Sequence, residues 1–223
     1  MYEPFAAVYD VWSADMVEDV PFYVSLAREA DGPIVELAVG TGRVAAAVAR
    51  ETRRRVVGID SSPSMLEQAR ARGADLDLRL MDMRDFELDE PAALVYCPFR
   101  SLLHLPTWRE KRLVFERVAA SLRPGGRFAW NAFVFSHRVA ARNDGRHQDV
   151  PVPHSMKHVP ADNRIDITLD TGGLISLWWA TRSEWEGLIE VAGLEVEALY
   201  GDFERTPFGD ESGEFVYVTR RSE

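Results

Sequence analysis

Val35-Glu36-Leu37-Ala38-Val39-Gly40-Thr41-Gly42 is the stretch that decides the fold of this 223-residue chain. It begins as a short apolar strand over 34–39 and ends in a glycine turn. An Ala- and Val-rich helical pattern over 43–51 follows the turn directly. A strand, a tight glycine turn and a helix form the first part of a βαβ unit, so the stretch predicts a parallel sheet.

Strand and helix signals continue to alternate on the C-terminal side of this unit. In chain order, the predicted elements are strand 55–59, helix 64–72, strand 76–80, strand 92–97, helix 107–122 and strand 127–133. Parallel strands need crossover connections, and right-handed crossovers place helices on both faces of a sheet. The pattern therefore predicts an α/β fold built on a doubly wound sheet.

The pattern changes after this run of strands and helices. Residues 136–160 have no clear period and contain three prolines and four of the five histidines, which is typical of a long loop or lid. Alternating apolar and polar residues on either side of Thr171-Gly172-Gly173 predict an antiparallel hairpin. The lid loop and the hairpin together form a predicted insertion over 136–181.

The chain is expected to fold as one domain over 1–223. A helical segment over 1–30 precedes the sheet, and two more strands are predicted over 194–200 and 214–220. No repeat, low-complexity tract or linker interrupts this order.

Composition indicates an ordinary globular protein and limits its partners. Apolar residues make up 46% of the chain, yet no apolar run approaches the roughly 20 residues of a membrane span. The N-terminus lacks a signal-peptide pattern, and a single cysteine excludes an internal disulfide framework, so we expect a cytoplasmic location. The net charge of −10 is unfavourable for nucleic-acid binding, which usually needs a basic surface.

Two cofactors compete for the glycine turn. Gly40-x-Gly42-x-x-Ala45 fits the dinucleotide fingerprint, with Asp60 near the distance of a ribose-binding acid. Glu36 argues against a dinucleotide, because a carboxylate inside the first strand would repel a pyrophosphate. It suits a cationic ligand, such as the ammonium and sulfonium of S-adenosylmethionine. In the alternative interpretation, Glu36 pairs with a nearby arginine.

The ordered set of motifs resembles class I S-adenosylmethionine-dependent methyltransferases. Glu36 to Gly42 is similar to their first motif, an acidic residue before Gly-x-Gly-x-Gly, with Ala38 in place of the first glycine. Similar motifs follow at residues 57–66 and 80–86, and Pro124-Gly125-Gly126 matches the turn before the fifth strand. The resemblance covers about residues 30–135. It implies a Rossmann-like seven-stranded sheet in the order 3-2-1-4-5-7-6, with the seventh strand antiparallel.

The resemblance also implies which residues bind the cofactor. Asp60 would bind both ribose hydroxyls, although it could instead cap the following helix, and Met65 would cover the adenine. Asp82 would take the adenine amino group, and Tyr9 would either close over the ligands or pack on the sheet edge. The full set predicted to bind S-adenosylmethionine, with S-adenosylhomocysteine as product, is Tyr9, Glu36, Ala38, Gly40, Thr41, Gly42, Arg43, Asp60, Ser61, Met65, Asp82, Met83, Arg84, Pro98 and Phe99.

Three residues are candidates for the acceptor side of the reaction. His104 follows the fourth strand, where the family's methyl group and substrate meet, and is either catalytic or packed on its neighbours. Arg100 would orient an anionic substrate or lie on the surface. Trp178 would wall the acceptor pocket, unless it and Trp179 divide between the core and a partner surface.

No metal site is predicted. Four histidines, His137, His147, His154 and His158, lie in the predicted lid, where only the last two have i, i+4 spacing and Pro151 and Pro153 oppose a helix.

The expected function is transfer of a methyl group to oxygen or nitrogen of a small molecule. The chain lacks the Asn/Asp-Pro-Pro-aromatic motif that amino-directed methyltransferases of nucleic acids and proteins carry after the fourth strand. We therefore expect a small-molecule acceptor, no nucleic-acid or membrane partner, and a monomer or homodimer. The alternatives are an NAD(P)-dependent oxidoreductase and a non-catalytic S-adenosylmethionine-binding protein.

Overall fold

A computed structural model describes residues 9–14 and 16–222 of the chain. The described strands are β1 Ile34–Leu37, β2 Val56–Asp60, β3 Leu76–Leu80, β4 Ala92–Cys97, β5 Leu122–Phe133, β6 His147–Gln148, β7 His154–Val159, β8 Arg164–Leu169, β9 Leu174–Trp178, β10 Leu194–Tyr200 and β11 Glu214–Arg221. The described helices are α1 Asp19–Glu29, α2 Arg43–Thr52, α3 Pro63–Ala71, α4 Trp108–Ser121, α5 His137–Asn143 and α6 Arg182–Val191. Ser101–His104 and Pro160–Asp162 are short 3-10 helices, and residues 9–12 add one helical turn.

The central layer is a seven-stranded sheet in the order β10-β11-β5-β4-β1-β2-β3. Counted along the chain, its strands follow the predicted order 3-2-1-4-5-7-6, since β10 and β11 are its sixth and seventh members. Strand β11 runs antiparallel to both β5 and β10, while β1 pairs in parallel with β2 and β4. The predicted Rossmann-like sheet is therefore confirmed.

Helices cover both faces of this sheet, because successive strand residues feed two separate cores. Val95 in β4 belongs to the core that includes Phe115 of α4 and Trp185 of α6. Its neighbour Tyr96 belongs to the opposite core, where α1 and α2 pack and Tyr23 stacks on the Tyr96 ring at 5.1 Å. Among the described helices, none is long and apolar enough to cross a membrane.

A second sheet stands apart from the central one, in the order β6-β7-β8-β9. Its β8–β9 pair is the predicted hairpin, with Ile165 opposite Leu177 and Ile167 opposite Ile175. The prediction of a long loop over 136–160 is wrong, because α5, β6 and β7 lie there. The sequence pattern does not indicate β7, because both faces of this strand carry polar residues. Its pairing with β8 supplies the backbone hydrogen bonds that fix it.

Candidate functional site

A cavity of about 810 Å³ opens at the carboxyl ends of β1, β2, β4 and β5. This edge is where doubly wound sheets bind their ligands. The turn after β1 and Asp60 line one side of the cavity, and the apolar face of β8 and β9 lines the other. The loop 210–213 and the start of α5 border it as well. Strand ends and second sheet thus form one site with two chemically different halves.

The glycine turn has the backbone that its sequence requires. Gly40 and Gly42 have φ angles of 54° and 77°, in the left-handed region that favours glycine. A Cβ on Gly42 would lie 3.2 Å from the Ala69 Cβ, so the helix α3 packs directly on this turn. Ala38, which replaces a glycine of the family motif, also has a positive φ of 52°. The turn therefore holds a side chain in a strained conformation at the cavity wall.

Asp60 is fixed by backbone donors and faces the cavity. Its carboxylate accepts the Gly40 N–H at 2.8 Å and the Ser62 N–H at 2.8 Å. Burial raises the pKa of Asp60, and these hydrogen bonds lower it in part. Ser62, rather than Asp60, is the N-cap of α3 and accepts the Met65 N–H at 3.4 Å. The carboxylate is thus held in place at the end of β2 by the turn that it faces.

Glu36 is a buried carboxyl group directly behind the glycine turn, 1% exposed. Burial raises its pKa to about 8, with the Tyr96 hydroxyl and Arg43 lowering it and Asp19 and Asp60 raising it. Arg43 does not pair with it, because both terminal nitrogens of Arg43 donate to Asp19 at 2.7 Å. Glu36 Oε2 makes no hydrogen bond of normal geometry with the described residues. A buried, incompletely satisfied acidic oxygen beside this turn fits a cationic ligand group.

A smaller cavity of about 160 Å³ adjoins the first, beside the ends of β2 and β3. Asp82, Met83 and Arg84 line it together with Asp60 and Ser61. Arg84 holds Asp82 with its backbone N–H and Nε, both at 2.9 Å, and lowers the pKa of that carboxyl. Asp82 and Met83 are therefore together in one recess, where Arg84 pairs with Asp82, whereas Met65 lines the larger cavity instead.

The N-terminal Tyr-Asp segment reaches the glycine turn. The Tyr9 ring lines the cavity and meets the Phe99 ring edge-on at 5.7 Å. Asp10 accepts the Thr41 hydroxyl and an Arg72 nitrogen, both at 2.7 Å. These contacts tie the helical turn at 9–12 to the first loop of the sheet. Residues 1–8 and 15 of the predicted helical segment over 1–30 lie outside the described residues.

Arg100 lies at the cavity but is paired within the protein. Phe99 and Arg100 have consecutive φ angles of 59° and 62°, an uncommon conformation for side chains of this size. The Arg100 guanidinium donates to Glu214, and Asn131 Nδ2 donates to the same carboxylate at 3.1 Å. Asn131 Oδ1 also accepts the Arg100 backbone N–H at 3.4 Å. The sequence predicts that Arg100 orients an anionic acceptor. In the structure, Glu214 already neutralises the Arg100 guanidinium.

His104 lines both cavities at the end of the short helix Ser101–His104. Burial lowers the pKa of its imidazole to about 4, with the Ser176 backbone in β9 acting in the opposite direction. The imidazole is therefore neutral at neutral pH. His104 joins the cofactor motif side of the site to the second sheet.

Several predicted residues do not line either cavity. Trp178 lies on the far face of β9, where the Arg164 guanidinium stands 5.7 Å from its ring centroid. Side chains alternate along a strand, so Ile175 and Leu177 take the cavity face instead. The other predicted residues outside both linings are Glu36, Thr41, Gly42, Arg43 and Pro98.

The apolar wall is the part of the site that sequence reasoning missed. Ile165 and Ile167 of β8 line the cavity with Ile175 and Leu177 of β9. The signal was present, because the hairpin alternates apolar and polar residues. Local sequence does not indicate that the apolar face of the hairpin lies towards the ends of β1 and β2.

The lid histidines are distributed over separate contacts. His147 pairs with Asp170 at 2.9 Å, and His154 Nδ1 lies 2.8 Å from the Val152 carbonyl. His137 and His158 pack against Phe135. Within residues 9–14 and 16–222, no three His, Cys, Asp or Glu side chains group as metal ligands.

Comparisons with known proteins agree on one family. Residues 34–126 match the family model of a methyltransferase domain. The chain is 28% identical to a dTDP-3-amino-3,4,6-trideoxy-alpha-D-glucopyranose N,N-dimethyltransferase of Streptomyces venezuelae, over 90% of this chain and 94% of the relative. It is 25% identical to a cypemycin N-terminal methyltransferase of a Streptomyces species, over 89% and 87%.

A solved structure extends this similarity to three dimensions. The CcbJ methyltransferase of Streptomyces caelestis superposes with a TM-score of 0.75 at 27% identity, over 92% of this chain and 94% of that one. The comparisons give no support to the oxidoreductase or to the non-catalytic alternative.

Proposed function

Because the chain is a class I S-adenosylmethionine-dependent methyltransferase that acts on a small molecule, we propose that the atom it methylates is an amino nitrogen. The names of the two curated relatives described above support this choice. One is an N,N-dimethyltransferase and the other an N-terminal methyltransferase. The choice between nitrogen and oxygen then depends on the groups that face the acceptor.

The observation that carries the proposal is the chemistry of the cavity wall around His104. A hydroxyl acceptor has to lose its proton as it attacks, and a general base works best with a pKa near the working pH. His104 has a pKa of about 4 and is a weak base. Burial raises the pKa of Tyr9, so its phenol stays protonated. An amine that has first released its ammonium proton to solvent carries a free lone pair, so its attack needs no base in the site. The nitrogen then becomes the methylated ammonium as the sulfonium becomes a thioether.

We propose that the predicted residues divide the cofactor between the two cavities. The glycine turn would hold the aminoacyl end, with Glu36 buried behind it and ionised when the ammonium group of the ligand lies close, and Asp60 would accept hydrogen bonds from the ribose hydroxyls. Asp82 and Met83 would border the adenine in the smaller cavity, and Met65, which lines the larger cavity, would cover it. When bound, the cofactor supplies a methyl group on a sulfonium, and the neutral thioether that forms on transfer is already a good leaving group. The protein's main task is then to align the acceptor, which we assign to Tyr9 and His104.

The test compares matched acceptors that differ only in the nucleophile. Purified protein and S-adenosylmethionine are incubated with pairs of a primary amine and the corresponding alcohol, and S-adenosylhomocysteine and the methylated product are measured by mass spectrometry. We expect methylated amines and at least about tenfold less methylated alcohol. Equal or preferred turnover of the alcohols would show that the site methylates oxygen.

The His104→Gln variant tests the assignment of His104. Gln keeps a hydrogen-bonding group but is not a base, so we expect KM for the amine to change more than kcat. A loss of kcat that follows a titration near pH 4 in the parent protein would make His104 the base instead.

We further propose that the protein works in the cytoplasm as a monomer or homodimer without a nucleic-acid partner. The acidic net charge of −10 supports the last point. Light scattering of the purified protein would measure the oligomeric state.

A further inference from the structure

We infer that the acceptor is an amine on a largely apolar body without phosphate groups, and not a nucleotide-linked sugar. This inference rests on the proposed N-methylation and specifies the class of amine. It separates this chain from three curated relatives whose names carry a dTDP-linked amino sugar. Three features of the cavity support it, which are the charges of its lining, its apolar wall and its mouth.

The charges that line the cavity are unsuited to a diphosphate. Among the described residues, its lining holds one guanidinium, that of Arg100, and three carboxylates, those of Asp60, Asp210 and Glu211. Arg100 is already paired with Glu214. Diphosphates are normally bound by several arginines or lysines or by a helix N-terminus. The N-terminus of α2 stands behind the glycine turn, where we place the cofactor. The N-terminus of the short helix α5 borders the cavity but is capped by the Ser136 hydroxyl, which accepts the Val139 N–H at 3.4 Å.

The rest of the chain offers no further cation to the lining. Residues 1–8, 15 and 223, which the structure does not describe, contain neither lysine nor arginine. Arg138 and Arg142 of α5 are exposed and do not line the cavity, although their helix neighbours Val139 and Ala140 do. A diphosphate in this cavity would therefore be desolvated without a matching positive charge, which is strongly unfavourable.

The wall opposite the cofactor motifs is a continuous apolar surface. Ile165, Ile167, Ile175 and Leu177 form two directly paired positions on one face of the β8–β9 hairpin. The polar side chains of the hairpin lie on its other face, where the Ser176 hydroxyl donates to Asp166 at 2.6 Å. Phe133, Phe135 and Met156 extend the wall at its edges. Binding of an acceptor to this wall becomes more favourable in proportion to the apolar area that the contact removes from water.

Two acidic residues of the lining are exposed at the mouth of the cavity. Asp210 and Glu211 are exposed at its rim, in the loop that precedes β11. Negative charge at the entrance attracts a protonated amine and repels a phosphate. The acids at the mouth and the apolar wall thus favour the same kind of acceptor. Its amine is cationic in solution, and its apolar body packs against the second sheet.

The experiment is a comparison of kcat/KM over two acceptor series with the purified protein and S-adenosylmethionine. The first is a set of primary alkylamines of increasing chain length, and the second is a dTDP-linked amino sugar with its free amino sugar. We expect kcat/KM to rise about tenfold or more along the alkylamines. The dTDP-linked sugar should be methylated at least about tenfold less well than its free counterpart.

A matched pair of variants tests the wall. Ile165→Ala shortens a side chain of the cavity face, and Thr168→Ala alters an exposed residue of the same strand. We expect Ile165→Ala to lower kcat/KM for the longest alkylamine about tenfold, with little change for the shortest. Thr168→Ala should leave both values unchanged. An equal loss for all chain lengths would contradict the assignment of Ile165 to acceptor binding.

Calorimetry on the protein saturated with S-adenosylhomocysteine covers the case of no turnover. Binding of a long alkylamine with no binding of dTDP supports the inference, while binding of dTDP, or of neither probe, overturns it. Failure of the proposed N-methylation is distinguishable, since it would appear as turnover of long alkanols in place of amines. Preferred methylation of the dTDP-linked sugar over its free form would overturn this inference and leave N-methylation intact.

Discussion

The two halves of the site are built on different principles. The half at the ends of β1 to β3 consists of backbone turns and short-range contacts, such as the Gly40 N–H on Asp60 at 2.8 Å. The half formed by β8 and β9 presents side chains from a separate sheet, whose place depends on long-range pairing. Backbone turns fix one ligand closely, whereas an apolar sheet face adapts to different ones. Substitutions and pH should therefore affect the two halves differently.

The largest expected difference is in the pH dependence of stability. Glu36 has a pKa of about 8 in the fold against an ordinary value of 4.5, so the native state binds the extra proton between these values. Stability conferred by neutral Glu36 is complete below about 4.5 and is lost as pH rises towards 8, by at most about 1.4 kcal/mol per pH unit.

His104 acts in the opposite direction. Its pKa is about 4 in the fold against 6.5, so the unfolded chain binds the extra proton and stability rises with pH through this window. The Glu36→Gln substitution should remove the fall in stability with rising pH, and His104→Gln should remove the rise. Urea unfolding of both variants and of the parent protein across this pH range measures these changes. Parallel curves for Glu36→Gln and the parent protein between pH 6.5 and 8 would contradict the role of Glu36.

A pair of glycine substitutions separates the halves next. Gly42 and Gly172 have similar φ angles of 77° and 86°, but only Gly42 has atoms within 4 Å of an added Cβ. We expect Gly42→Ala to lower the free energy of unfolding by about 2–4 kcal/mol, as strain adds to crowding against Ala69. Gly172→Ala in the hairpin turn should cost about 1 kcal/mol. Equal losses in denaturant unfolding would mean that α3 does not press on the turn.

Asp60→Ala tests the cofactor half directly. It removes a carboxylate assigned to the ribose, and we expect binding of S-adenosylhomocysteine to weaken by about 1–3 kcal/mol in calorimetry. Asp166→Ala, on the face of the second sheet away from the cavity, is the control and should leave this affinity unchanged. Unaltered affinity in Asp60→Ala would remove the ribose assignment.

Arg100→Ala probes the boundary between the halves. Glu214 is 13% exposed and would keep only the Asn131 amide, so we expect the free energy of unfolding to fall by about 1–2 kcal/mol. KM for an alkylamine should change by less than about threefold, since the guanidinium already serves Glu214. A large rise in KM with unchanged stability would restore Arg100 to acceptor binding.

The smallest expected effect is a gain in stability at Ala38. This residue has a φ of 52°, which glycine adopts without strain. We expect Ala38→Gly to raise the free energy of unfolding by about 0.5 kcal/mol, the strain relieved less the added chain entropy. A loss of stability in thermal unfolding would show that the Ala38 methyl group contributes packing that outweighs the strain.

Much of the cofactor half followed from the sequence because its contacts join neighbouring segments. The glycine turn, Asp60 and the recess of Asp82 lie at successive strand ends, and parallel strands bring these ends to one edge. Sequence could not tell that Arg43 pairs with Asp19, or that Arg84 binds Asp82. Such choices depend on which side chains meet after packing.

The chain by itself determined the glycine turn, the alternation of strands and helices and the resemblance to the family, since each depends on local patterns of apolar residues, glycines and acids. The strand order followed from that resemblance. Only the tertiary structure decided that residues 136–160 contain β7, that β9 turns Leu177 rather than Trp178 to the cavity, and that Glu214 neutralises Arg100. A strand shows the same alternation whichever face is buried. The choice of face is made by the partner against which it packs, and that partner is distant in the sequence.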